Sequence, residues 1–258
     1  IILSRLCKIC DEAAKSGKIA KVHDCIRNFS GPSKIMEPAG LLEMVSNCAE
    51  TRNFVTDWVI SDDDSSICTV TQHPDPTKQN DKGKLPTHIP VPQFMTDPSH
   101  RIKVVSKYFY KLKNLPVSQS RVDGAIASRL KRSWGYMIKQ NRGGSLEQMI
   151  RAAKAPLDHI FNDHKYCGDW CLAVKAKKQG KIYNNPRGWL CKEKNKKEYN
   201  QIHEIVSKYG DRFFLKQSLH PFDTQTNEAL NQAQACLTPK SKVFHSSRSF
   251  HYRHAINP

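Results

Sequence analysis

Eight residues of the chain have the types and spacings of metal ligands. Cys7-x-x-Cys10 is followed by His23-x-Cys25, two close pairs of soft or borderline donors joined by a short loop. A Cys-x-x-Cys turn holds two thiolates on one side of a tetrahedral Zn²⁺. An adjacent segment then supplies the imidazole and third thiolate of a structural Cys₃His site. Further on, His159-x4-His164-x2-Cys167-x3-Cys171 gathers two imidazoles and two thiolates in one short segment. That is the composition of a structural zinc site, although the spacing is not that of a DNA-reading finger. Cys191 and His203 are further donors downstream. A metal-free reading stands beside each: Cys7 and Cys25 as small buried residues, and Cys167, Trp170 and Cys171 packing a helix turn.

A third group is acidic. Asp62 follows the apolar run Phe54 to Ser61, with Asp64 two residues on, and Glu228 lies in Asn227-Glu228-Ala229-Leu230-Asn231. A carboxylate at the end of a buried strand is placed to meet a hard cation such as Mg²⁺. An Asp there equally serves as a helix N-cap, and a Glu in a first helical turn complements the macrodipole without catalysis.

Hydrophobic spacing supplies the elements that would position these groups. Ile1 to Leu6 reads as the middle of a strand, so an upstream segment is expected. A Cys/His-bearing loop from Lys8 to Lys21 and a short strand around Cys25 to Phe29 follow. Gly31-Pro32-Ser33 breaks the chain, and Leu41, Leu42, Met44 and Val45 then fit one helix face between Glu37 and Ala49. Phe54 to Ser61 is a buried strand, and His73 to Pro98 a loop. Ile102, Val105, Tyr108, Phe109 and Leu112 fall at helical spacing while Arg101, Lys103, Lys107, Lys111 and Lys113 cover the other faces. Further helices are expected at about 121–140, 145–155, 196–209 and 224–236.

At 258 residues the chain is long enough to bury one substantial core and a smaller second one. Its formal net charge of +17 is spread along the sequence, which points to a polyanionic partner, nucleic acid first. Phosphate contact is assigned to the helix around 101–113 and to Lys/Arg-rich segments at 129–142 and 175–197. The residues named for it are Arg101, Lys103, Lys107, Lys111, Lys113, Arg129, Lys131 and Arg132. No apolar run approaches the roughly 18 residues of a membrane span, and no basic-then-apolar leader opens the chain. Nine cysteines in a chain of this length, several beside histidines at ligand spacing, favour metal over a disulfide scaffold.

Taken in order, these motifs closely resemble the Mutator-like transposase domain. The Cys/His quartet comes first, then Asn28-Phe29-Ser30-Gly31-Pro32-Ser33-Lys34-Ile35-Met36-Glu37, then Asp62-Asp63-Asp64-Ser65. These are similar to the family's quartet, its N-F-x-G-S-S-x-x-M-E segment and its D-G-D-S. Asp97-Pro98-Ser99-His100 resembles a D-x-x-H segment. His220 to Asn231 resembles H-x-x-T-Q-x-N-E-S-x-N, continued by Pro239-Lys240 and Val243-Phe244. The resemblance implies an α/β, RNase-H-like fold, a mixed sheet flanked by helices with its first strand truncated here. Residues 1–72 and 220–258 would form the core, and 73–219 a basic, mostly helical insertion. It implies a DDE-type enzyme that cleaves and transfers DNA strands with Mg²⁺, in the nucleus, on transposon ends and target DNA. Self-association is left open. Asp62, or Asp64 in its place, would be the second catalytic acid and Glu228 the third. The family's first Asp, in D-G-T-W-x-x-R, has no counterpart in this sequence, so the chain alone is expected to be inactive. The alternative expectation is a host-adapted or decayed, catalytically inactive zinc-containing module that binds DNA or protein.

Overall fold

The computed structural model describes residues 3–62, 65–70, 84–186 and 188–237. It is rich in helix, with one small sheet, and divides into two compact units: Ile1–Phe94 with Thr224–Pro258, and Met95–Asp223.

The first unit opens with α1 (Lys8–Lys15), where a loop was expected. Ala13 and Ala14 favour helix, and Asp11 and Lys15 sit at the ends that suit their charges. Gly17, at φ +64°, stops it. The Lys18 N–H then bonds the Ala13 carbonyl at 2.9 Å and the Gly17 N–H the Ala14 carbonyl at 3.3 Å, the pairing of a Schellman motif. No side chain of α1 is buried. The strands expected on either side are extended segments without a ladder. They meet where the Ser4 carbonyl accepts from the N–H groups of Asn28 and Phe29 at 3.0 and 3.1 Å.

Helix α2 (Ser33–Arg52) begins a turn earlier than its apolar spacing indicates and ends on Asn53 in the left-handed region. Val45 is buried and Leu41 and Leu42 pack beside it, but Met44 is exposed. Strand β1 (Trp58–Ser61) is shorter than expected because Phe54 and Val55 lie in solvent. It pairs in parallel with β2 (Gln93–Thr96), and α3 (Ser65–Val70) lies between the two in sequence. Val45, Val59, Ile67, Leu85 and Ile89 form this unit's small core. The unit's last described element is α11 (Gln225–Leu237), whose described side chains are all exposed.

The second unit is helical: α4 (Pro98–Lys113), α5 (Gly124–Asn141), α6 (Leu146–Ala152), α7 (Ala155–Ile160), α8 (Leu172–Lys178), α9 (Lys196–Tyr209) and α10 (Arg212–Lys216). Asp97 caps α4 by accepting the His100 N–H at 3.1 Å, with Pro98 starting the first turn. Asp123 caps α5 through the Ile126 N–H at 2.7 Å. Pro156 lies in the first turn of α7. Val105, Phe109, Leu130, Trp134, Met137, Ile160 and Ile202 are fully or almost fully buried between α4, α5, α7 and α9. No described helix is long and apolar enough to cross a membrane.

Candidate metal centres

The first quartet is assembled by a helix start and an extended return. Cys7 is the N-cap of α1 and Cys10 lies in its first turn, where the positive end of the helix favours thiolates. The Asn28 and Phe29 contacts to Ser4 bring the return segment back, carrying His23 and Cys25 with it. His23 Nε2 stands 3.1 Å from Cys7 Sγ and 3.4 Å from Cys10 Sγ, and Cys10 Sγ is 3.6 Å from Cys25 Sγ. A tetrahedron with Zn–S of about 2.3 Å and Zn–N of about 2.0 Å has edges of roughly 3.5–3.8 Å, so the Cys10–Cys25 edge matches zinc and the two His23 contacts are shorter than a bound ion would hold them. The cysteines are free thiols. His23 Nδ1 lies 2.7 Å from the Lys21 carbonyl, a contact that turns Nε2 towards the sulfurs and fixes it as the ligand atom.

The thiols already share charge unevenly. The Cys10 backbone N–H, helped by the His23 ring and opposed by burial, lowers Cys7 to about 6. Cys10 is pushed up to about 11, chiefly by its contact with Cys25. His23 is raised to about 8 by the Lys21 carbonyl first and Cys7 next. A divalent cation resolves this competition by taking all the lone pairs at once.

The second quartet joins the end of α7 to the start of α8. His159 lies in the last turn of α7, Cys171 is the N-cap of α8, and His164 and Cys167 sit in the turns between. The four sulfur-to-nitrogen edges are 3.6, 3.7, 3.6 and 3.5 Å, each running to Nδ1 of His159 or His164. They match the tetrahedral edge closely. His164 Nε2 faces Asn162 Oδ1 at 3.2 Å, and Asn162 is one of two non-glycine residues with positive φ among the described residues. Cys171 is held down to about 3 by the Cys167 thiol, against its burial, and Cys167 is pushed up correspondingly. Burial lowers His164. In each quartet all ligand atoms lie within 4.8 Å of one another, and these are the groups among the described residues that could hold a metal ion. Cys191 and His203 join neither: the Cys191 thiol donates to Glu193 at 2.7 Å, and His203 stacks on Tyr199.

Spacing did not reveal what surrounds the second quartet. His159 packs against Trp170 and Trp189 with ring centroids 5.0 and 5.5 Å away, and His164 meets Trp189 at 5.1 Å. Tyr136 stacks on Trp170 at 5.8 Å with planes 13° apart, and the Arg129 guanidinium lies 5.0 Å from the Trp189 ring. These rings come from α5, the ligand turn and the 179–190 loop, three stretches with no shared motif.

The acidic residues are placed less tightly. Asp62 is exposed directly after β1, and Glu228 is exposed in the first turn of α11, within reach of Gln225 at 3.2 Å. Asp64 lies outside the described residues, as do Pro239, Lys240, Val243 and Phe244. Asp62 and Glu228 alone offer too few oxygens to hold a hard cation.

The basic residues separate into two kinds. Lys103, Lys107, Lys111 and Lys113 are exposed along α4, and Lys131 and Arg132 along α5. Arg101 is buried, donates to Thr96 Oγ1 at 2.9 Å and to Gln217, and stacks over Phe214 at 4.1 Å. Arg129 is half-buried and donates to the Gly188 carbonyl at 3.1 Å. Both guanidiniums are engaged within the unit.

Against known proteins, no curated relative and no solved structure matches the chain. The family model described as Mutator-like transposase matches residues 2–171. That span takes in both quartets, Asp62 and the Asp97-x-x-His100 segment, and about two thirds of the sequence. The chain therefore belongs to the Mutator-like transposase family.

Proposed function

We propose that this chain is part of the core of a DDE-type DNA transposase with an RNase-H-like fold, acting in the nucleus on transposon ends and target DNA. The observation that carries the reading is the family match over residues 2–171, with its ordered motifs. Both quartets are structural zinc sites: each offers four Cys/His donors within 4.8 Å of one another, which fills the coordination of zinc and leaves no open position for substrate. The exposed lysines of α4, with Lys131 and Arg132, neutralise backbone phosphates and supply affinity without sequence readout.

Mg²⁺, when bound, supplies the charge stabilisation and activated oxygen nucleophile of phosphodiester attack. Asp62, or Asp64, and Glu228 are its ligands from this chain. The exposure of Asp62 and Glu228 supports a second reading, a host-adapted module that binds DNA without cutting it.

Magnesium-dependent nicking of transposon-end DNA decides between them, measured with an upstream segment supplying the D-G-T-W strand. Loss of nicking in Asp62→Ala and in Glu228→Ala is expected. Nicking unchanged by both removes these residues from the chemistry, and no nicking under any condition favours the binding module. For the DNA reading, log affinity should fall steeply with log salt. Lys107→Ala with Lys111→Ala should reduce that slope by about two phosphate equivalents, each worth about 0.9.

A further inference from the structure

Beside the second quartet lies an open cleft of about 580 Å³, within the size range of ligand pockets. Tyr136, Trp170, Tyr183 and Trp189 supply four aromatic rings to its lining, and Arg129, Arg132 and Lys175 three cations. None of the described residues that line it is acidic. We propose that this cleft binds an unstacked nucleotide, with its base against the Tyr136, Trp170 and Tyr183 rings and its phosphates met by Arg132 and Lys175.

Three observations argue for that occupant. The combination of rings and cations without a carboxylate is the chemistry that recognises a base together with its phosphate, as in single-strand binding grooves. The site is a cleft rather than a flat surface, a shape that suits a single flat ring better than the side of a double helix. Duplex contact falls instead to the exposed lysines of α4. The rings are also held in place before any ligand arrives. Trp170 is fixed between Tyr136 and His159, and Trp189 is fixed by His159, His164 and the Arg129 guanidinium. Stacking on a preset platform loses little side-chain entropy. His159 and Cys171 line the cleft as well, so the zinc quartet doubles as its wall. Tyr136 remains 48 % exposed, an aromatic surface that packing alone leaves unused.

The inference rests on the DNA-binding reading and is tested so that the two can fail separately. The zinc-loaded chain is titrated with a fully paired duplex and with the same duplex carrying one unpaired thymine, following affinity and quenching of tryptophan fluorescence. The bulged duplex should bind more tightly and quench more strongly. Tyr136→Ala and Tyr183→Ala should each remove roughly five- to hundredfold of the affinity for the bulged duplex, leave the paired duplex unmoved and keep the zinc content. Tyr136→Phe should retain the preference. Equal affinity for the two probes, or equal loss on both after substitution, overturns the cleft while duplex binding stands. Binding to neither probe overturns both readings. If Tyr136→Ala loses zinc, Tyr183→Ala becomes the deciding variant, and zinc loss in both makes the rings purely structural and overturns the proposal.

Discussion

The two quartets are alike in donor chemistry and opposite in setting. Around the first, α1 buries no side chain, and between residues 3 and 31 only Ser4 and Cys7 are buried. Around the second, Cys171 is buried and the histidines are clasped by Trp170 and Trp189. Its supporting helix α7 packs Leu157 and Ile160 into the unit's main core. A metal site can thus stand in for a hydrophobic core or be seated on one. Where few apolar groups are buried, chain entropy of about 1–2 kcal/mol per residue must be offset by the metal bonds themselves.

The largest expected effect follows directly. Stripping zinc with a chelator should leave the amides of residues 3–31 exchanging at nearly unprotected rates, while α4, α5 and α9 keep their protection. Hydrogen exchange by mass spectrometry reads both. Equal persistence of the two regions would show that the first segment is held by something other than its ligands.

The reverse experiment attacks the core. Trp134 is completely buried on α5, and Trp134→Ala should cost about 3–5 kcal/mol in the second unit, measured by denaturant unfolding. The second site's zinc should then become easier to remove while the first is unaffected. If both sites loosen together, the distinction between metal-held and core-held is lost.

The quartets were legible in the sequence because ligand spacing is local: Cys7, Cys10, His23 and Cys25 lie within one short stretch, as do His159 to Cys171. Helix α9 runs over the span its periodicity indicates, since Ile202, Ile205 and Val206 face the core. Helix α1 was not legible, because it is only two turns long, buries none of its side chains, and carries cysteines whose spacing suggested a loop. Strand β2 stayed hidden inside a polar, proline-rich stretch. The tryptophan clasp joins Trp170, beside Cys171 in the ligand segment, to Trp189 in the loop that follows α8, and no regular spacing announces it. Arg101 sits on the helix expected to be basic, but its contacts with Gln217 and Phe214 come from more than a hundred residues away.

A smaller effect tests how far the second unit's stability depends on a buried charge rather than on zinc. Glu198 is 5 % exposed. Burial raises its carboxyl, but the Arg121 N–H at 2.9 Å and its other hydrogen bonds outweigh that and leave it below its ordinary value. A depressed folded-state pKa contributes stability that is present above the unfolded value near 4.5 and is lost as pH falls through the lower folded value. Acid unfolding of the second unit should therefore steepen below about pH 4.5, and Glu198→Gln should flatten that slope at a cost of about 1–3 kcal/mol at neutral pH. An unchanged slope would remove Glu198 as its source.

The smallest effect concerns Asp97, which opens the segment that resembles D-x-x-H and which the structure places at a helix cap. Its Oδ2 accepts the His100 N–H, while Oδ1 is buried without a hydrogen-bond partner among the described residues. A cap needs an acceptor and not a charge, so Asp97→Asn should be tolerated within a few tenths of a kcal/mol and Asp97→Ala should cost about 1 kcal/mol. The two substitutions separate structure from chemistry. A role in holding metal or substrate requires the negative charge, and Asp97→Asn would then abolish DNA nicking at unchanged stability. Nicking that follows stability through both variants makes Asp97 the start of α4 and nothing more, which leaves Asp62 and Glu228 as the acids to pursue.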